Sequence, residues 1–172
     1  MNRFDYGSLN LSPKTIHPTA DDLKVIHNLN RLDQYIMRCA DYEKYEELLW
    51  DVQHGCLERF CLWLTDKGIE EHQDIFAYLT DTYITFIYGY PHEEPVTLKS
   101  GPGKYFVEFM VAFLLLKTSM EPWEYTLCPA AMRLFYKFLH EKGYLVECPD
   151  RMIVLIDRLE PHFIEILMER FS

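Results

Sequence analysis

Glycine and proline are scarce in this sequence, with 7 and 9 occurrences in 172 residues, which excludes collagen-like and low-complexity disordered chains. The five cysteines are odd in number and follow no regular spacing, so they predict no disulfide framework. Residues 1–14 lack the apolar stretch of a secretory signal peptide. We therefore expect a cytoplasmic protein with reduced thiols.

Long hydrophobic runs and an excess of basic residues are also missing. The longest apolar run, Phe109 to Leu116, has eight residues, whereas a membrane span needs about 20. We therefore predict a buried helix there and no membrane contact. The formal net charge is −10, and residues 41–98 carry 13 acidic but only 3 basic side chains. Such a charge repels phosphate backbones, so nucleic acid is not the expected partner.

The chain does contain enough apolar material for one core. Hydrophobic residues make up 49% of the sequence, and 26 residues are aromatic, which suits one globular domain of this length. Apolar residues recur every three or four positions, and no stretch alternates with the two-residue period of a strand. The sequence therefore predicts an all-α fold, a compact bundle of six or seven helices.

Capping residues indicate the first helix boundaries. We predict an irregular lead-in over residues 1–18 and a first helix that begins after Thr19, because a threonine hydroxyl can accept a hydrogen bond from the first turn. The second helix should end before Gly68, and the third should run from about Glu70 to Gly89. The residues expected to face the core in these two helices include Leu48, Val52, Cys56, Phe60, Leu64, Ile75, Leu79, Tyr83, Phe86 and Ile87.

Proline and glycine cluster in residues 90–103, which predicts a loop. We expect this loop to join two helical halves, 19–90 and 104–172, of a single helical domain over 19–172.

The second half should contain three main helices. The apolar helix over about 104–117 should lie at the centre of the bundle, because nearly all of its faces are hydrophobic. A helix over about 129–142 should follow, and a last helix should begin near Pro149. Pro161 should kink or restart that last helix.

One pattern occurs twice in the chain. It is spaced 75 residues apart, and its two copies are Phe60, Leu64, Lys67, Gly68 and Phe135, Leu139, Lys142, Gly143. Each copy predicts an amphipathic helix that ends in a Lys-Gly cap. The repetition indicates two similar helical hairpins, which arise either from duplication or from shared cap chemistry.

No nucleotide or cofactor site is predicted. The segment 100–104 reads Ser-Gly-Pro-Gly-Lys, as in part of a phosphate-binding loop. Leu98 stands where a Walker loop has its first glycine, and Tyr105 stands where a serine or threonine follows the lysine. An ordinary turn between helices is therefore expected.

No metal site is predicted either. Metal-binding bundles use a carboxylate three residues before a histidine on two helices, and only Asp51 and His54 have this spacing. His54, Cys56 and Cys61 are close in sequence, but Cys56 points away from the other two on a helix.

Two Cys-Pro pairs suggest an alternative function. Cys128-Pro129 and Cys148-Pro149 place thiols at predicted helix N-termini, where the helix dipole lowers the pKa of a thiol. Neither cysteine has a second cysteine two residues away. A thiol-dependent enzyme or a haem-responsive protein, in which Cys-Pro also occurs, is the alternative that these pairs support.

A second alternative is a DNA-associated module. Its best candidate residues form one edge of the helix over 129–142, namely Arg133, Lys137, His140 and, just beyond, Lys142. Arg133 and Lys137 are one turn apart and could contact two phosphates.

Three motifs between residues 57 and 167 carry a family resemblance: Phe60-x-x-Trp63-Leu64, Phe106-x-x-Phe109 and Phe135-Tyr136-x-Phe138-Leu139-x-Glu141-Lys142-Gly143. They resemble an uncharacterised all-helical domain of bacterial proteins that sometimes precedes a SEC-C zinc motif. They are also similar to the helical core-binding (SAM-like) domain of tyrosine recombinases. The first resemblance implies a helical fold of unknown role. The zinc-binding cysteine cluster, the recombinase catalytic domain and its basic surface are absent from this sequence, so neither resemblance assigns metal or DNA contacts to any residue.

The expected function is non-enzymatic protein interaction or self-association through an exposed aromatic or acidic surface. The 26 aromatic residues exceed what a small core usually needs. Trp50, Trp63, Phe135 and Tyr136 are predicted to lie in the core, although an exposed tryptophan would suit a partner. The partner is then another protein or a second copy of this chain, and no catalytic residue is predicted.

Overall fold

The computed structural model describes residues 4–9, 17–38, 42–100 and 103–172. No strand occurs in those ranges, which confirms the all-α prediction. The helices are α1 (Ala20–Arg38), α2 (Tyr42–Asp66), α3 (Gln73–Gly89), α4 (the consecutive segments Lys104–Glu108, Phe109–Phe113 and Leu114–Lys117), α5 (Pro122–Tyr125), α6 (Cys128–Glu141) and α7 (Asp150–Phe171), preceded by a 3-10 turn at Tyr6–Ser8. Among these described helices, none is long and apolar enough to cross a bilayer.

Parts of two predicted segments lie outside the described residues. These parts are 1–3 and 10–16 of the lead-in, together with Gly101 and Pro102 of the predicted loop. The chain between α3 and α4 is otherwise non-helical, as the prolines and glycines predicted.

Local capping chemistry sets the ends of α1 and α2 where the sequence predicts them. Thr19 Oγ1 accepts a hydrogen bond from the Asp22 N–H at 3.2 Å, and Asp22 Oδ2 accepts one from the Thr19 N–H at 2.9 Å. After α2, Gly68 adopts a φ of 76°, and the Ile69 N–H donates to the Leu64 carbonyl at 2.8 Å. Glycine takes this left-handed conformation at little cost, which is why it ends the helix.

The centre of the bundle is α6. Helices α2, α3 and α7 pack against it, and all of its residues except Lys137, His140 and Glu141 are buried. We expected the helix over 104–117 in this position. In the structure α4 places Phe106, Phe109 and Met110 in the core, but Leu116 is 71% exposed, because α4 packs chiefly on α3 and α7.

The two copies of the repeated pattern pack against each other. The ring centroids of Phe60 and Phe135 lie 5.4 Å apart in an edge-to-face arrangement. Near the helix ends, Trp63 Nε1 donates to Glu141 Oε2 at 2.7 Å, and Lys67 Nζ donates to Glu141 Oε1 at 2.9 Å. Side chains of both patterns therefore hold the C-terminal ends of α2 and α6 together.

Hydrogen bonds with buried tyrosines hold the loop between α3 and α4 in place. The Tyr88 hydroxyl donates to Asp33 Oδ1 at 2.7 Å and accepts from the Leu98 N–H at 3.0 Å. The Tyr136 hydroxyl donates to the Leu98 carbonyl at 3.2 Å and lies 2.7 Å from the Tyr83 hydroxyl. Both backbone polar groups of Leu98 are thus satisfied by side chains of α3 and α6, as buried polar groups require.

Two helices contain irregular positions. The middle segment of α4, Phe109–Phe113, is a π-helical turn for which the sequence offers no signal. Helix α7 continues through Pro161 and does not restart there. Because proline has no N–H, the Asp157 carbonyl lacks its usual partner within the helix.

Candidate functional site

Arg133, which the DNA-associated alternative would place against a phosphate, is an internal residue. Its side chain is buried, and its Nε and Nη2 donate to Asp157 Oδ1 at 3.1 and 2.7 Å. Nη2 also donates to Glu160, and the Tyr6 ring lies over the guanidinium group at 5.5 Å. Carboxylates of α7 therefore occupy donors of Arg133 that a phosphate contact would need. The other members of the predicted basic edge are half-buried: Lys137, His140 and Lys142.

The two Cys-Pro thiols lie in very different surroundings. Cys128 begins α6, as predicted, but it is fully buried, and burial raises the pKa of its thiol. A buried, protonated thiol is a poor nucleophile, so the prediction of a lowered pKa was wrong for Cys128. Cys148 is exposed just before α7, and a reactive thiol at that position stays a prediction.

His54, Cys56 and Cys61, the candidate metal ligands that are close in sequence on α2, do not form a common site. His54 Nδ1 lies 2.8 Å from the Trp50 carbonyl oxygen. Cys56 is buried, whereas Cys61 is only half-buried. Over the described ranges, no three His, Cys, Asp or Glu side chains gather as metal ligands would.

The two tryptophans of α2 occupy opposite environments. Trp63 lies in the core with 3% of its surface exposed, as predicted, but Trp50 is 59% exposed, so the prediction was wrong for Trp50. The reason is the helix period: Trp50 lies two residues from Leu48 and from Val52, and two residues rotate a side chain by roughly 200° from the buried stripe. Its indole instead stacks on the His54 ring, with centroids 3.8 Å apart.

We call the exposed and half-exposed side chains on one side of α2, together with Tyr78 and Asp81 of the adjoining α3, the α2–α3 face. On α2, the spacing of four, three and four residues keeps its members on one side of the helix. On α3, Tyr78 is 46% exposed and lies one turn before Asp81. The members of the face are Trp50, His54, Leu57, Cys61, Tyr78 and Asp81.

Hydrogen bonds hold the two helices of this face in register. Gln53 Nε2 donates to Asp81 Oδ1 at 3.1 Å and to Thr85 Oγ1 at 2.8 Å. Burial raises the pKa of Asp81, while His54 and the bond from Gln53 lower it, and the pKa remains above its ordinary value. The face is therefore built on a fixed backbone and a fixed carboxylate.

The surroundings of the α2–α3 face are acidic. Glu46 and Glu47 are exposed and lie about one turn before Trp50 on α2, and Asp74 is exposed one turn before Tyr78 on α3. In the sequence, residues 41–98, which include α2 and α3, carry 13 acidic side chains. The arrangement combines an exposed indole with negative charge, and such a surface is suited to binding a partner.

Comparison of the chain with protein-family models, with curated proteins and with solved structures finds no match.

The α2–α3 face was not predicted from the sequence, because both tryptophans of α2 were expected to lie in the core. The signal was present, since Trp50 is out of phase with the stripe that contains Leu48, Val52 and Cys56. Nothing local could have shown that Asp81 of α3 accepts a hydrogen bond from Gln53 of α2.

Proposed function

We propose that this protein is a non-enzymatic interaction module that binds a basic protein segment through the α2–α3 face. The observation that carries the proposal is the exposure of Trp50, whose indole is 59% accessible on a rigid helix. Tryptophan is strongly enriched among the residues that dominate binding energy at protein interfaces, because it buries a large area with few rotatable bonds.

The geometry supports binding because the face is already ordered. Trp50 is supported by its stacking on His54, and Gln53 links α2 to α3 through Asp81. A partner therefore meets side chains whose conformations are largely set, and the entropy lost on binding is reduced.

The charge of the face favours a basic partner over a second copy of the chain. In a symmetric dimer, Glu46 and Glu47 of one copy would approach acidic residues of the other, and like charges across an interface are costly. A segment with lysine or arginine next to an apolar side chain would instead complement both Trp50 and its acidic surroundings.

A peptide-display selection tests this proposal, because a random library offers basic, acidic and apolar segments alike. The wild-type protein is the bait, and peptides that also bind Trp50→Ala are removed. We expect the remaining peptides to be enriched in lysine or arginine, and to quench or shift the fluorescence of Trp50 on binding. Trp123→Ala is the matched control, because Trp123 is an exposed tryptophan (41%) on α5 that is not a member of the face.

The proposal fails if no peptide remains after those that bind Trp50→Ala are removed, or if the remaining peptides are not enriched in lysine or arginine. Raising the salt concentration should weaken binding of a basic peptide, since exposed charge pairs are screened. A strict preference for self-association, seen by sedimentation of the purified protein, would also contradict a basic partner.

A further inference from the structure

His54 supports the exposed indole of the α2–α3 face. Its ring stacks on Trp50 with centroids 3.8 Å apart and an angle of 28° between the ring planes. Its Nδ1 lies 2.8 Å from the Trp50 carbonyl oxygen. Because a carbonyl oxygen only accepts hydrogen bonds, Nδ1 carries the proton of the neutral ring, and Nε2 keeps a free lone pair.

Protonation of His54 therefore adds a charge without breaking this hydrogen bond. The second proton goes to Nε2, while Nδ1 continues to donate to the Trp50 carbonyl. A cation over an indole face is also attracted by the electrons of the ring. The stack is thus favourable in both protonation states, and what changes is the charge beside the exposed indole.

The charged groups near His54 decide what this change does. The titratable or charged side chains within two turns on the same side of α2, on the adjoining α3 and across the groove shared with α1 are Glu47, Asp51, Glu58, Tyr78, Asp81 and Lys24. Carboxyl groups, phenols and amines ordinarily titrate outside the range from pH 6 to pH 8, whereas histidine titrates within it. Burial raises the pKa of the nearby Cys61 thiol, which favours its neutral form.

We infer that His54 is a pH switch of the α2–α3 face, whose imidazolium form weakens the binding of a cationic segment and whose neutral form restores it. This inference rests on the proposed function and concerns the regulation of the same surface. A lysine or arginine that approaches Trp50 meets a like charge when His54 is protonated, and like charges across an interface are unfavourable. By linkage, binding of a basic segment releases a proton from His54.

Ionic quenchers test the switch without a partner, because their efficiency depends on the charge around an exposed indole. The protein carries Trp123→Phe, so that Trp50 and the buried Trp63 are the remaining tryptophans. Quenching by iodide and by caesium is measured at constant ionic strength, relative to neutral acrylamide. We expect the ratio of iodide to caesium quenching to rise about twofold from pH 8 to pH 6, as one added charge near the indole requires.

Three variants assign this rise to His54. His54→Gln should abolish it, and this variant keeps Asp81, whose pKa burial raises, so the comparison isolates the histidine. His54→Arg carries a permanent cation and should give the high ratio at both pH values. His162→Gln is the matched control and should keep the full rise, because His162 is an exposed histidine of α7.

A lysine-containing peptide selected on the wild-type protein at pH 8 supplies a second measurement. Its affinity for the wild type should fall about threefold at pH 6, the scale of an exposed charge pair. Its affinity for His54→Gln should be the same at both pH values.

The inference is overturned if the quencher ratio does not change with pH, if its rise persists in His54→Gln, or if the wild type binds the peptide equally at pH 8 and pH 6. A selection that yields no basic peptide overturns the proposed function instead. The quencher ratio needs no peptide, so the two failures are distinguishable.

Discussion

The indole Nε1 of Trp63 donates a hydrogen bond to Glu141 Oε2 across a distance of 2.7 Å. The two residues are 78 positions apart in the chain, and each lies near the end of one copy of the repeated pattern. Lys67 donates to the other oxygen of the same carboxylate. Glu141 therefore serves as the common acceptor for two donors, one in the last turn of α2 and one directly after it.

Glu141→Ala should destabilise the protein by about 1–3 kcal/mol, because it leaves a buried indole N–H and a largely buried ammonium group without this acceptor. Urea unfolding followed by circular dichroism measures the change. Glu70→Ala is the control, since Glu70 is an exposed glutamate. Equal stabilities of the two variants would contradict the role given to Glu141.

The paired hydroxyls of Tyr83 and Tyr136 should behave as one coupled unit. Each tyrosine-to-phenylalanine substitution should cost about 1 kcal/mol. Tyr136→Phe should cost more, because it also removes the bond to the Leu98 carbonyl. A double-mutant cycle in urea should give a coupling energy of at least about 0.5 kcal/mol, and additive effects would show that the hydroxyls do not interact.

Gly55→Ala should destabilise the protein, although alanine favours a helix over glycine by about 1 kcal/mol. A Cβ at this position would lie 2.8 Å from Val25 Cγ2 of α1, which is too close. Overpacking of this kind costs about 1–3 kcal/mol, and valine cannot easily rotate away.

The Val25→Ala background distinguishes crowding from other causes of that loss. With the valine methyl groups removed, Gly55→Ala should become neutral or stabilising in the same urea measurement. A Gly55→Ala substitution that destabilises both backgrounds equally would exclude the crowding explanation.

Tyr6 should make stability fall at alkaline pH. Burial raises the pKa of Tyr6 to about 12, while the charge of Arg133 lowers it and that of Asp157 raises it. The folded state therefore holds the phenolic proton more tightly than the unfolded state, in which the pKa is near 10. This contribution is fully present below pH 10 and is lost as the pH rises towards 12.

Tyr6→Phe should accordingly show a smaller loss of stability between pH 9 and pH 11 than the wild type. At neutral pH the variant should be at least as stable, because the Tyr6 hydroxyl is buried without a hydrogen-bond partner among the described residues. Tyr90→Phe, which removes an exposed hydroxyl, is the control. Parallel pH profiles for the wild type and Tyr6→Phe would contradict the assignment.

Helix ends were predictable because their causes are local. Thr19 caps α1 through a residue three positions away, and Gly68 ends α2 through its own φ angle. The buried stripes of α2 and α3 were predictable for the same reason. The helical period alone places Leu48 and Val52 on the buried side of α2.

The environments of charged residues and the irregular helical turn could not be predicted, because they depend on packing between residues that are distant in the chain. Arg133 is satisfied by Asp157 and Glu160, which the sequence does not mark as its partners. The π-helical turn in α4 has no residue signature. A cavity lined by residues that include Leu98, Tyr136 and Arg151 depends on how the α3–α4 loop meets α6 and α7, so no spacing in the sequence could reveal it.

The contact between α3 and α6 also determines how the chain can be divided. Tyr83 lies before the α3–α4 loop and Tyr136 lies after it, so cleavage at Pro91 would yield two fragments that share one interior. Each fragment alone would expose to water the hydrophobic surface that packs against the other fragment in the intact protein. Separately produced fragments should then reassemble on mixing, which would make the protein a natural candidate for a split reporter.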